Sequence, residues 1–485
     1  MRSPLWSIPI TSRPPHFPLL HSISFSLLFN LSILTIYLIL LLLFISLRLL
    51  LLPGSKSKRQ GKVWHSRLGK GLFGKSLVVV SKLFFGDLEF VVSRDRAGGE
   101  EKRWVERDSK GKVIGIKVPK RSIWISNHQT LADWLFLWQF FYLTSSSSTL
   151  YIALKSSLKK IPIIGQACGW FGFAFLERNW SKDKAGFERQ LEEMARDCQV
   201  EGEGGKLDFL LFPEGTIVTE NTRGISSRFA EKAKLKDFEY TLLPRSTGLF
   251  FALRQLAIRV PDLQLSDLTV GYPLPRQPPS SSTTDRKPLY PSEYYSLPSI
   301  FLNRVPPPEL HFHLRFYKVS EIPLGDLSRL NEKGKEGDDG SEEERRVFDE
   351  WLLKRWGEKD SLLKRFNETG SFVDQSVKVT TRALTTEDED EEDQDRVRGE
   401  VSWKPRLRSP IIESLQIVGF GLPFVALGWG LPLLWKAGKM VVGASAAAVE
   451  ARKVGGEGSG VKAGCGCGKM GGGSAGGLDV DRSEL

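Results

Sequence analysis

A long apolar run lies near the N-terminus of the chain. Residues 27–47 read LLFNLSILTIYLILLLLFISL and contain no charged residue. At a rise of about 1.5 Å per residue, a helix of this length spans about 30 Å, the thickness of a hydrocarbon core. A cleaved signal peptide is the alternative, but the run is longer than a signal's apolar region and no small-x-small site follows it. The run therefore predicts a transmembrane helix within an N-terminal segment, residues 1–52.

A second apolar stretch, residues 417–435, lies near the C-terminus. It is interrupted by four glycines and two prolines. Such a stretch can span the membrane, re-enter it or lie in its interface, and the sequence leaves these three open. It predicts a C-terminal membrane segment.

Between these two stretches, β-rich apolar runs alternate with amphipathic runs. The predicted strands are residues 121–126, 149–154, 171–177, 207–212, 267–272 and 310–317, and the predicted helices include 130–142, 183–199 and 246–257. This alternation is typical of an α/β domain with a mixed sheet flanked by helices, which we assign to residues 121–320. A loop rich in proline and serine, residues 274–308, interrupts the pattern.

The C-terminal third has a different composition. In residues 341–367 apolar side chains recur at helical intervals, which predicts an amphipathic helical region that packs on the domain or contacts a membrane surface. Residues 368–410 form a predicted disordered acidic linker, with eight acids among residues 387–395. Residues 436–485 are a glycine-rich tail that we also predict to be disordered.

Charge is distributed unevenly along the 485 residues. The net charge is +11, yet residues 1–52 carry +3, residues 53–125 carry +11, and the remainder carries −3. The excess therefore belongs to the apolar run and the basic juxtamembrane region, residues 53–120. By the positive-inside rule this region lies in the cytoplasm, and the same lysines and arginines can hold it against anionic headgroups. No aromatic-basic motif typical of a nucleic-acid reader accompanies it, so we expect no nucleic-acid partner.

The four cysteines carry no recognisable framework. Cys168 and Cys198 are isolated, and Cys465 and Cys467 form a Cys-x-Cys pair that lacks the second ligand pair of a zinc site. We predict no metal site, no disulfide framework and a reducing cytosolic face.

One of the six histidines has a setting that suggests catalysis. His128 directly follows the predicted strand 121–126, in the run ISNHQTLADW, and Asp133 comes five residues later. Strand ends are where an α/β sheet presents side chains to a ligand. A carboxylate bonded to one ring nitrogen leaves the other free as a general base. Asn127 is a candidate to orient the turn.

Three more clusters follow other predicted elements. FPEGT, residues 212–216, exposes a carboxylate and a hydroxyl on a turn after a strand. GFAFLER, residues 172–178, places Arg178 at a strand end, where a guanidinium can fork onto a phosphate. LLPRSTG, residues 242–248, comes after both.

In this order and spacing, the four blocks resemble the glycerolipid acyltransferase family. Asn-His-x4-Asp, Gly-x-x-Phe-x-x-Arg and Phe-Pro-Glu-Gly-Thr match that family's patterns without substitution. The ERNWSKD run at 177–183 and DEWLLKRWGEKDSLLKRF look like the branch with lysophosphatidate, lysophosphatidylinositol and lysocardiolipin acyltransferases. The resemblance covers about residues 60–367, and the loop 274–308 looks longer than is usual in the family.

The resemblance implies roles for individual residues. His128 would deprotonate the free hydroxyl of a lysophospholipid, Asp133 would orient the imidazole, and the hydroxyl would attack an acyl-CoA thioester directly. The implied substrate-binding residues are Asn127, Gly172, Arg178, Pro213, Glu214, Gly215 and Thr216, with Pro244 and Arg245 on the acyl-CoA side. Glu214 would accept a hydrogen bond from the glycerol or brace Arg178, and backbone donors near the turn would stabilise the oxyanion.

The resemblance also implies a setting. The partners would be a lysophospholipid, acyl-CoA as co-substrate and the lipid bilayer, with no other cofactor. The location would be the endoplasmic reticulum membrane, with the catalytic domain facing the cytoplasm. The apolar runs 134–142 and 157–164 would dip into the leaflet or wall an acyl tunnel, and core packing explains the first equally well. A CoA-independent transacylase and a non-catalytic membrane scaffold are the alternative functions.

Overall fold

The computed structural model describes eight ranges of the chain: residues 4–50, 55–85, 88–95, 104–200, 205–275, 288–331, 339–373 and 400–419. The glycine-rich tail lies outside these ranges. So does the second apolar stretch, except for residues 417–419.

Two long helices open the structure. Helix α1, Leu19–Leu50, contains the predicted apolar run and is longer than that run, and helix α2, Ser55–Phe85, packs against it. Among the described residues, α1 is the one helix that is long and apolar enough to cross a membrane, by length and composition. Only 11% of its most apolar window is buried, so most of this leucine-rich surface faces outward.

An eight-stranded mixed sheet forms the centre, in the order β10-β1-β9-β8-β4-β7-β5-β6. Its strands are β1 (Glu89–Arg94), β4 (Arg121–Ser126), β5 (Leu150–Lys155), β6 (Ala174–Leu176), β7 (Leu207–Leu211), β8 (Gln264–Gly271), β9 (Glu309–Lys318) and β10 (Glu400–Trp403). Strands β8, β4, β7, β5 and β6 run parallel to one another, and β9 and β1 run in the opposite direction. The predicted mixed α/β sheet is confirmed, and a separate ribbon pairs β2 (Val105–Arg107) with β3 (Val113–Ile116).

Helices cover both faces of the sheet. On one face α1, α2 and α3 (Asp133–Leu143) share a core with the sheet, and on the other α5 (Trp180–Gln199), α7 (Thr247–Ala257) and α8 (Glu342–Thr369) share a second core. The short helices α4 (Ile164–Trp170) and α6 (Glu220–Ala233) lie in the connections. Helix α3 is buried along most of its length, so the run 134–142 packs in the core.

Helix α8 shows how a polar-looking segment joins the domain. Ser341 caps it through a capping box with Glu344, and Gly370 ends it in a left-handed conformation. Its apolar side chains, among them Phe348 and Trp356, are fully buried against the sheet and α7. Of the two roles open for residues 341–367, the structure therefore shows packing on the domain.

Two predicted boundaries differ from the structure. Strand β1 lies in the basic region 53–120, yet it pairs in parallel with β9, more than 200 residues away. Strand β10 lies in the predicted linker 368–410, yet it extends the sheet beyond β1, and Trp403 is buried against Phe90. Helix α9, Pro410–Gly419, then packs on α2. Local charge suggested a solvated segment, whereas burial of Val401 and Trp403 holds these residues in the sheet.

Candidate active site

The sequence motifs meet at one edge of the sheet. His128 follows β4, Phe212 follows β7 and Arg178 follows β6. These three strands are parallel to one another and to β5, which lies between β7 and β6. Parallel strands bring their carboxyl ends to the same edge, where open α/β sheets bind ligands. The fold thus gathers residues separated by up to 84 positions at this edge.

His128 and Asp133 form a hydrogen-bonded pair. The Nδ1 atom of His128 lies 2.9 Å from Oδ2 of Asp133. The carboxylate is fully buried, whereas the imidazole keeps 19% of its side-chain surface exposed. The first turn of α3 carries Asp133 back beneath the ring, as the sequence predicts.

The surroundings of Asp133 define which nitrogen of His128 is the base. The carboxylate accepts hydrogen bonds from the backbone N–H groups of Gln129 and Thr130, at 2.7 and 3.1 Å, and from the hydroxyls of Thr130 and Tyr272, at 3.1 and 2.6 Å. All these neighbours can donate, so the carboxylate acts as an acceptor throughout and also accepts a hydrogen bond from Nδ1–H of His128. This tautomer leaves Nε2 as an unprotonated acceptor.

Tyr272 is a positioning residue for Asp133. We expect Tyr272→Phe to lower kcat about 10-fold without changing KM, because it removes one charge-assisted hydrogen bond of about 1.5–3 kcal/mol from the carboxylate. Tyr295→Phe is the matched control, since Tyr295 is equally buried but donates to the carbonyl of Pro273 at 2.6 Å. Steady-state kinetics on both variants checks this, and equal effects of the two would contradict the assignment.

The imidazole is also held from the side of the FPEGT turn. The ring of Phe212 stacks on that of His128 with centroids 4.4 Å apart. The N–H of Val218 donates to the carbonyl of His128 at 2.9 Å. These contacts fix the ring between two loops and leave its Nε2 side as the accessible one.

Glu214 occupies a different place from the one predicted. It is only 2% exposed, and its carboxylate accepts from the backbone N–H groups of His128 and Leu242, at 3.4 and 3.3 Å. Burial raises the pKa of Glu214 well above its usual range, against the opposing effect of these two donors. Glu214 therefore ties the His128 turn to the loop before Arg245, and among the described residues it forms no ion pair with Arg178.

Asn127 and Gly172 also lie away from the open side of the site. Asn127 is fully buried, and its amide exchanges two hydrogen bonds with the backbone of Val270, at 2.8 and 2.9 Å. Gly172 lies two residues before β6, level with Tyr151 in β5, whereas Arg178 lies two residues after β6. Gly172 has a φ of +72°, and a Cβ atom there would lie 3.2 Å from the Tyr151 ring. Both features favour glycine at this position for structural reasons.

Two guanidinium groups, those of Arg178 and Arg245, lie close enough for their charges to interact. The side chain of Arg245 lies over Gly215, because a Cβ atom added to Gly215 would lie 3.6 Å from Nε of Arg245. The backbone N–H of Arg245 donates to the carbonyl of Pro213 at 2.8 Å. Partial burial and, secondarily, the charge of Arg245 lower the pKa of Arg178. Among the described residues neither arginine has an ion-pair partner. Their mutual repulsion leaves a site that favours an anion.

Two carboxylates outside the four site blocks hold the backbone near these arginines. Asp183 accepts from the N–H groups of Glu177 and Asn179, at 2.7 and 3.1 Å, on either side of Arg178, whose φ is +65°. On α8, Asp360 accepts from the N–H groups of residues 239–241. The strained turn and the loop before Arg245 are thus both clamped by backbone hydrogen bonds.

The remaining predicted residues line the same edge. Gly215 has a φ of +72°, which allows the sharp turn after Pro213, and Thr216 and Pro244 are half-buried. The hydroxyl and N–H of Thr216 donate to no other residue in the described part of the chain. In the same ranges, no group of three or more His, Cys, Asp or Glu side chains is arranged to hold a metal ion.

Comparison with known proteins identifies relatives of this sequence. Residues 112–272 match the family described as Acyltransferase. The 2-acyl-1-lysophosphatidylinositol acyltransferase of Saccharomyces cerevisiae is 32% identical over 293 residues, covering 55% of this chain and 66% of the relative. Lysocardiolipin acyltransferase 1 of Gallus gallus is 34% identical over 257 residues, covering 53% and 57%.

A plant relative extends the set. The probable 1-acyl-sn-glycerol-3-phosphate acyltransferase 5 of Arabidopsis thaliana is 29% identical over 276 residues, covering 56% of this chain and 61% of the relative. The chain thus spans less than two thirds of the length of each of these curated relatives. Residues 112–272, which contain the four sequence blocks, match the model of the acyltransferase family, as the motifs indicated.

Proposed function

We propose that the protein is a membrane-bound acyltransferase that transfers an acyl group from acyl-CoA to the free hydroxyl of a lysophospholipid. The observation that carries this proposal is the His128–Asp133 pair, in which every neighbour of the buried carboxylate is a donor. The names of the relatives, which concern lysophosphatidylinositol, lysocardiolipin and 1-acylglycerol-3-phosphate, support a lysophospholipid acceptor.

The chemistry follows from the position of the imidazole. Nε2 of His128 takes the hydroxyl proton as the acceptor oxygen bonds to the thioester carbonyl carbon, and Asp133 stabilises the imidazolium. The N–H of Thr216, which has no partner among the described residues, supports the oxyanion. The C–S bond then breaks, and the imidazolium returns its proton to the CoA thiolate. No acyl-enzyme is required.

Arg178 and Arg245 together bind the acceptor phosphate in this proposal. The expectation from sequence placed Arg245 on the acyl-CoA side, but its position over Gly215 and its electrostatic proximity to Arg178 support a shared phosphate site. A phosphate between two guanidinium groups would form charge-assisted, bidentate hydrogen bonds.

We expect Arg245→Gln to raise KM for the acceptor 10- to 100-fold and leave KM for acyl-CoA unchanged, because a lost charged hydrogen bond costs about 1.5–3 kcal/mol. Arg228→Gln is the matched control, since Arg228 is exposed on α6 and has no ion-pair partner among the described residues. Initial rates with each substrate varied in turn test this. A rise in KM for acyl-CoA alone would instead indicate that Arg245 binds acyl-CoA.

Helix α1 is proposed to lie lengthwise in one leaflet. Near its start, Ser22 Oγ donates to the carbonyl of Leu302 at 2.7 Å, and farther along, the hydroxyl of Tyr37 donates to Gln166 at 2.6 Å and Phe44 stacks on Trp170. Residues 22 and 44 are about 33 Å apart along a helix. Because these contacts run along α1, a membrane-spanning α1 would carry the charged domain through the whole hydrocarbon core. Burying those charges in lipid would cost a large free energy.

Depth-dependent quenching tests this placement. Single cysteines replacing Leu20, Leu31 and Leu42, which are 82%, 60% and 48% exposed, would carry a fluorophore in vesicles with brominated lipids. The expected result is a similar shallow depth at all three, because the helix lies parallel to the surface. A deep maximum at position 31 with shallow ends would instead indicate the spanning helix predicted from sequence.

The activity experiment is a panel of radiolabelled acyl-CoA with lysophosphatidate, lysophosphatidylinositol and lysocardiolipin, on membranes that express the protein. Acylation of at least one acceptor, with one free CoA released per product, supports the proposal. Product without CoA release would favour a transacylase, and no product with intact membrane binding would favour a scaffold. A cytoplasmic orientation is proposed from the basic residues after α1, which anionic cytoplasmic leaflets attract, and the endoplasmic reticulum is proposed from the family resemblance and the apolar helix α1.

A further inference from the structure

Residues 159–164 form an unusual surface segment, which we term the 159–164 loop. All six residues are exposed, and they read KKIPII. Ile161, Ile163 and Ile164 are 41%, 36% and 47% exposed. Isolated exposed apolar side chains are ordinary, but three isoleucines on one short turn form a patch that marks a contact surface.

The backbone of this loop is strained in a way that keeps the isoleucines outward. Ile163 has a φ of +67° and a ψ of −57°, and the N–H of Ile164 donates to the carbonyl of Pro162 at 2.7 Å. This is a γ-turn with positive φ at a β-branched residue, a conformation that costs of order 1–3 kcal/mol. Packing within the domain does not explain the cost, because the side chain points to the surface.

The loop lies beside the candidate active site. It follows β5 through the short helix Ser156–Lys160. Strand β5 is separated from β4 by β7 alone, so the chain leaves the sheet at the same edge as His128, and the ends of β5 and β4 are about 10 Å apart. Leu131, between His128 and Asp133, is 56% exposed at this edge. Two segments at this edge therefore carry exposed apolar side chains.

Charge complements the apolar patch. Lys155, Lys159 and Lys160 are exposed, and none forms an ion pair with another described residue. Lysines at a surface with anionic lipid contribute about 1 kcal/mol each. Isoleucines flanked by lysines are typical of segments that lie at the boundary of headgroups and acyl chains.

The loop is also attached to α1. Gln166, two residues after the loop, accepts from the hydroxyl of Tyr37, and Trp170 stacks on the same ring with centroids 5.4 Å apart. Because the 159–164 loop ends two residues before Gln166, its isoleucines lie at about the same depth, relative to a bilayer, as the exposed face of α1.

We propose that the 159–164 loop inserts its isoleucines into the headgroup and acyl boundary of an anionic bilayer, so that a lysophospholipid enters the site directly from the leaflet. This inference rests on the proposed membrane-bound function. It resolves the two roles open for residues 157–164 in favour of the leaflet.

The test uses the full chain with its four cysteines replaced by alanine and a fluorophore at Ile164→Cys, in vesicles of phosphatidylcholine and phosphatidylserine with brominated acyl chains. Leu31→Cys on α1 reports whether the protein is embedded at all. Ser361→Cys, exposed on α8 at the opposite face of the sheet, is the negative control. We expect quenching at Ile164 close to that at Leu31 and at least 5-fold above that at Ser361.

The outcomes separate the two proposals. Quenching at Leu31 with none at Ile164 would overturn the loop inference alone, whereas no quenching at either would overturn the membrane-bound state. A kinetic arm uses the variant with Ile161, Ile163 and Ile164 replaced by serine. Its kcat/KM should fall about 10-fold for a long-chain lysophospholipid in vesicles and stay within 2-fold for a short-chain soluble acceptor. Equal losses for both acceptors would contradict lipid contact, and an unchanged thermal midpoint would confirm that the variant folds.

Discussion

Replacing His128 with alanine is expected to lower kcat by about 10³-fold or more, the upper part of the range for removal of a general base. Nε2 of this imidazole is the acceptor that the Asp133 network leaves free, and among the predicted site residues no other side chain offers a neutral base. The partly exposed ring contributes little to the core, so the free energy of unfolding should change by less than about 1–2 kcal/mol.

Two controls make the His128 result specific. His16→Ala, at an exposed position before α1, should keep full activity. Added imidazole should restore part of the activity of His128→Ala, because a free base can occupy the vacated space beside Phe212. A variant with wild-type rates of acyl transfer would rule out His128 as the base.

Asp133→Asn is expected to lower kcat by 10²- to 10⁴-fold. An amide places one N–H group among the donors of residues 129, 130 and 272, where only acceptors fit. If that N–H faces His128, the ring must present Nδ1 as an acceptor and carry its proton on Nε2, which removes the base. The unmatched donors should also destabilise the fold by about 1–3 kcal/mol.

Asp208→Asn is a matched control for this variant. Asp208 is equally buried, but it lies at the amino end of β7 and accepts from Trp124 Nε1 and the hydroxyl of Thr149. Burial raises its pKa to about 6, so a neutral side chain is well tolerated there. Near-normal activity in Asp208→Asn together with loss in Asp133→Asn, both measured in single-turnover assays, would separate catalysis from general destabilisation. Equal losses would assign Asp133 a purely structural role.

The sequence indicated the main candidate site residues, but it did not indicate where each of their side chains points. His128, Asp133 and Arg178 were identified because each follows an apolar strand within a distinctive block. The direction of a side chain near such a turn depends on partners far along the chain. Glu214 and Asn127 stand in the same blocks, yet backbone groups at Leu242 and Val270 turn them inward.

Other supporting residues had no local signal. Tyr272 ends an ordinary-looking strand, and only the pairing of β8 with β4 brings its hydroxyl to Asp133. Asp360 lies on a charged helix face, and the packing of α8 sets it under the loop before Arg245. Each acts through a contact between elements more than 100 residues apart.

By itself the sequence determined the α/β class, the apolar N-terminal helix, the order of the four motifs and the histidine–aspartate pair. Periodicity and strand-end position are local properties, so residue order alone carries them. Only the tertiary structure decided that β1 and β10 complete the sheet, that Arg245 lies over Gly215, and that α1 lies against the domain along its length. Those outcomes depend on burial and hydrogen bonding between distant segments, which no local pattern records.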